Sequence, residues 1–69
     1  MRDLTSEEIE KFATRKGVRR IAVENFLGSL GNVDNKGDEM RNLYADAASY
    51  KWNSATVSAI RAGINLAYK

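Results

Sequence analysis

Sixty-nine residues, 43% hydrophobic and 29% charged, make one small globular domain and are too apolar for a disordered tail. With neither Cys nor His, the chain has no disulfide framework, no thiolate or imidazole metal site, no cysteine nucleophile and no His-based triad, and no cofactor is expected. A formal charge of +2 is too small to make nucleic acid the default partner, no apolar run nears the roughly 20 residues of a membrane span, and the start MRDLTSEEIE has no apolar signal core, so a cytoplasmic protein away from membranes is expected.

Proline is absent, strand signals are lacking and apolar residues recur at helical spacing, which predicts an all-α single domain over residues 1–69. The first helix is expected at about residues 5–16. Thr5 and Glu8 form an S/T-x-x-E capping box, Leu4 and Ile9 a hydrophobic staple, and Ile9, Phe12 and Ala13 the buried stripe. Arg15 and Lys16 are placed in its last turn, and Gly17 reads as the left-handed residue that ends it, with Val18 folding back.

A second helix is expected at about 19–30, with Val23, Phe26, Leu27 and Leu30 on its inner face and Gly31 closing it. Ile21 points away from that face, either toward another element or into solvent. Residues 31–37 form the one evident loop, followed by a third helix at about 35–51 whose stripe is Met40, Leu43, Tyr44 and Ala47. Asn53 or Ser54 then caps a fourth helix at about 54–68.

That last helix is apolar almost all round. Val57, Ile60, Ile64, Ala67 and Tyr68 make one stripe, while Ala55, Ala59, Ala62 and Leu66 cover much of the other side and Gly63 borders both. Such a helix is sandwiched inside the bundle or used for self-association, the former being preferred because a small domain needs all the burial it can find.

The chain has no P-loop, and its acidic residues on the first helix belong to the capping turn, so no enzyme is expected. The electrostatic anomaly is the basic elbow. Arg15, Lys16, Arg19 and Arg20 bracket Gly17-Val18, and two of them stand where the second helix presents its positive end. The elbow is either an anion-binding corner or a solvated basic face. Tyr50 and Trp52 are read as core or tethering residues, with a peptide-binding or base-stacking surface as the alternative.

The segments Ile9–Val18, Ala22–Leu27 and Gly31–Asp34 together resemble a ubiquitin-associated (UBA-like) domain over about residues 5–48. The resemblance implies a three-helix bundle that docks a protein partner through Lys16, Gly17 and Val18, with Tyr44, Ala47 and Ala48 at the end of the third helix. Lys16-Gly17-Val18 is similar to the form found in UBA-like domains of translation and nascent-chain factors. The first two helices also resemble a helix-turn-helix, which implies nucleic-acid binding by Arg19, Arg20 and Asn25 in the groove and by Lys16, beside Arg15, near phosphate. The preferred reading is a four-helix, non-catalytic protein-interaction module, with the helix-turn-helix as the alternative.

Overall fold

The first α-helix, α1 (Ser6–Ala13), begins as its sequence dictates. The Glu8 N–H donates to Thr5 Oγ1 at 3.2 Å and the Thr5 N–H donates to Glu8 Oε1 at 2.9 Å, so both halves of the capping box are made. A computed structural model provides these coordinates and describes residues 3–30, 42, 45 and 50–68.

Helix α1 ends three residues before the expected Lys16. The Thr14 hydroxyl turns back to the Glu10 carbonyl at 2.8 Å, and the Arg15 N–H reaches only three residues back, to Phe12. The chain thereby leaves the helical path, and Arg15 and Lys16 belong to the following turn. That turn is closed by the Val18 N–H on the Arg15 carbonyl, with Gly17 at φ +80°. The left-handed glycine is where the sequence puts it, but it serves a turn that follows the helix.

Helix α2 (Arg20–Gly28) starts with Arg19 as its N-cap residue and carries Val23 and Leu27 into the core. It stops at Gly28 and not near Gly31, because the Ser29 hydroxyl and amide both engage the Phe26 carbonyl. Leu30 lies beyond that end and is still buried.

Asn42 and Ala45 are helical and exposed, while most of the expected third helix, with its stripe of Met40, Leu43, Tyr44 and Ala47, lies outside the described residues. Helix cannot extend to residue 51 as expected, since Tyr50 is in a turn and Lys51 is left-handed at φ 55°.

Helix α3 (Ser54–Ala67) is the fourth helix of the sequence reading, capped by Asn53, whose Oδ1 accepts from the Thr56 N–H at 3.0 Å. Its buried face is Thr56, Ala59, Ile60, Gly63, Ile64 and Ala67, a strict i, i+3, i+4 stripe. Val57, expected in the main stripe, is only half-buried, and the small residues lie at the centre of the contact. A Cβ on Gly63 would stand 2.5 Å from Leu27 Cδ1, so this glycine lets α3 close onto α2. The small-residue face is thus occupied inside the chain.

Among the described residues, α1, α2 and α3 each pack on the other two, and Phe12, Ala13, Val23, Leu27, Leu30, Ala59, Ile60, Ile64 and Ala67 fill the space between them. The radius of gyration, 10.9 Å, matches the roughly 11 Å of a compact chain of this length. Among the described residues there is no strand, and the fold is all-α.

Candidate functional site

The elbow between α1 and α2 is held from below by the start of α3. Asn53 Nδ2 donates to the Gly17 carbonyl at 2.7 Å, and the buried Thr56 hydroxyl accepts from the Arg19 N–H at 2.8 Å. Asn53 therefore caps α3 and fastens the turn at once. Thr56, fully buried, satisfies a backbone donor just ahead of α2, which an apolar residue could not do. Gly17 approaches Ala55 closely enough that an added Cβ would sit 3.6 Å from the Ala55 Cβ.

These ties decide where the elbow's cations go. Arg15 lies over the Phe12 ring, 5.0 Å from its centroid, in a cation–π contact. Arg20 forms two ion pairs, Nη2 to Glu10 Oε1 at 2.6 Å and Nε to Glu24 Oε1 at 2.7 Å. Its pKa is raised above the ordinary guanidinium value, first by the hydrogen bond to Glu24 and then by the charge of Glu10. All three side chains keep roughly half of their surface in solvent, so the pairs orient Arg20 more than they stabilise the fold. Lys16 and Arg19 are exposed, and among the described residues neither has a carboxylate partner. Of the four cations, Arg15 covers a ring, Arg20 is shared by two acids, and Arg19 stands at the head of α2.

Beside Arg19 a shallow groove of about 590 Å³ opens, lined by Arg19, Arg20, Ile21, Ala22 and Trp52. Ile21 is 72% exposed and Tyr50 60% exposed, the two large apolar side chains left outside the core among the described residues. Trp52 lies between core and surface. Its ring meets Phe26 edge-on at 5.8 Å and stacks on Tyr50 at 4.8 Å, with an interplanar angle of 20°. The left-handed Lys51 falls between the two stacked residues, so an unusual backbone conformation accompanies the display of two rings. No side chain caps the first turn of α2, whose residues Arg20, Ile21 and Ala22 border the groove.

Of the residues the UBA-like resemblance implies, Lys16 and Gly17 are exposed and Val18 is half-buried against the core, while Tyr44, Ala47 and Ala48 lie outside the described residues. Asn25 is exposed on α2, one turn beyond Ile21. Sequence reasoning did not anticipate Thr56 and Asn53 as fasteners of the elbow, nor Glu10 as a partner of Arg20. Nor did it bring Ile21 and Trp52 to one groove. The available signal was Ile21 itself, a large aliphatic opposite an otherwise consistent stripe.

Protein-family profiles, curated proteins and solved structures yield no match to this chain. Among the described residues no group of three Asp or Glu side chains is placed to hold a metal ion, and no helix is long and apolar enough to cross a membrane.

Proposed function

We propose that this chain is a non-catalytic protein-interaction module whose first helices have a UBA-like arrangement. The observation that carries the reading is the exposure of Ile21 and Tyr50 beside the half-buried Trp52. A domain this small depends on every apolar side chain it can bury, and leaving Ile21 and Tyr50 exposed is costly unless a partner covers them. The contact surface on this reading is the groove at the head of α2. The tip of the Gly17 turn, which carries the exposed Lys16, is fastened from below by Asn53.

A helix-turn-helix reading has the exposed Arg19 and Asn25 in its favour. It ranks second because the outward side of α2 also carries Glu24, which with Glu10 holds Arg20. With both carboxylates on its guanidinium, Arg20 is already engaged and is not free to contact a phosphate backbone.

Salt and mutation separate the two. The immobilised chain is incubated with nuclease-treated extract, and a short DNA duplex is titrated in parallel at about 50 and about 200 mM salt. The module reading expects a protein complex that survives the higher salt and is lost on Ile21→Glu. Duplex binding that collapses with salt, is abolished by Arg19→Glu and is indifferent to Ile21→Glu would overturn it.

A further inference from the structure

We infer that the groove at the head of α2 takes an acidic peptide segment with an aliphatic or aromatic anchor, a proposal that rests on the interaction-module reading and names its partner's chemistry. The groove has an apolar part and a charged part. Trp52, Ile21 and Ala22 line its apolar part, and Ile21 is strongly exposed there. An inserted side chain of Leu or Phe size would bury both, in the manner of an interface anchor.

The sign of the charge selects the rest of the segment. Arg19 borders the groove and Lys51 lies beside the Tyr50–Trp52 stack, both exposed and neither paired with a carboxylate among the described residues. Glu10 and Glu24, two acids that reach α2's first turn, are both committed to Arg20, which itself lines the groove. That first turn has no side-chain cap and adds its own positive end to the same place. A basic segment would meet like charge at Arg19 and Lys51, and a neutral one would leave these cations uncompensated, whereas Asp or Glu flanking the anchor answers them.

The test is a peptide-display selection on the full chain, followed by amide chemical-shift mapping with the best synthetic peptide. Selected peptides should be enriched in Asp or Glu next to Leu, Ile, Phe or Trp, and shifts should centre on Arg19 to Ala22 and the Trp52 indole. Arg19→Glu and Lys51→Glu should each weaken binding about tenfold, and replacing the peptide's acids with Lys should restore affinity to the Arg19→Glu variant. Both side chains are exposed, and Arg19 holds Thr56 through its backbone, so the variants keep the fold; thermal melts check this. Basic or neutral peptides selected at the same groove would overturn the acidic partner and leave the module reading standing. Acidic peptides that map elsewhere, or no enrichment at all, would overturn the groove assignment. Failure of the module reading itself shows differently, as salt-sensitive duplex binding with no peptide enrichment.

Discussion

A single added methyl should have opposite effects at two glycines of this bundle. Within a helix, Gly→Ala gains about 1 kcal/mol from backbone entropy and propensity. At Gly28, the last residue of α2, a Cβ meets nothing within 4 Å, so Gly28→Ala should stabilise by about 0.5 kcal/mol, reduced from the full gain by its terminal position. At Gly63 the same Cβ would lie 2.5, 2.7 and 3.2 Å from Leu27 Cδ1, Cδ2 and Cγ, well inside the roughly 3.5–4.0 Å of comfortable carbon contact. Leu27 is 2% exposed and belongs to the same core cluster as Ile60 and Ile64, which leaves it little room to turn aside. Overpacking of this kind costs about 1–3 kcal/mol, so after the propensity gain Gly63→Ala should lose about 1 kcal/mol. For a domain of this size that lowers the Tm by about 4–8 °C.

Urea denaturation followed by helical circular dichroism measures both variants, and an unchanged m-value licenses the comparison. The pair also has an internal control. In a Leu27→Ala background the obstruction is gone, and Gly63→Ala should become stabilising, with a coupling energy of about 1 kcal/mol or more between the two positions. If Gly63→Ala stabilised the otherwise unaltered chain as Gly28→Ala does, the close approach of α3 to α2 would be refuted.

Three further outcomes follow from the elbow and the last turn. Thr56→Val strips the acceptor from the Arg19 N–H and should cost about 1–3 kcal/mol, with faster hydrogen exchange at the Arg19 amide; Thr56→Ser should keep that amide protected. Gly17→Ala must place a side chain at φ +80° and should lose about 1–2 kcal/mol in a thermal melt, and Gly17→Asn should lose less. The Ala55 Cβ at 3.6 Å is no obstacle, so a loss well above that range would mean the strain is steric and the geometry misjudged. The Tyr68 hydroxyl is buried with no hydrogen-bond partner among the described residues, so Tyr68→Phe should be neutral or stabilising by up to about 1 kcal/mol. A loss of stability on that change would reveal a bond to this oxygen.

What the amino-acid order determined by itself is what residues within a turn of one another decide. The Thr5/Glu8 box, the Asn53 cap, the left-handed Gly17 and the Val23/Leu27/Leu30 stripe each involve partners or repeats only a few positions apart. Even there the ends of α1 and α2 shifted, at the points where the Arg15 and Ser29 N–H groups turn to carbonyls only three residues back. An almost wholly apolar α3 carries no instruction about which face to bury. The choice fell to Gly63 meeting Leu27 and to Thr56 meeting Arg19, a pair 37 residues apart. The site was legible in pieces, as a basic elbow, a misplaced Ile21 and two aromatics, but their assembly was not. Arg20 found its second carboxylate ten residues away on α1, and Trp52 reached the head of α2 because α3 packs there. Local rules set the helix starts and the inward stripes of α1 and α2; only burial shared between distant segments could settle the buried face of α3, which charges are neutralised and which apolar side chains remain for a partner.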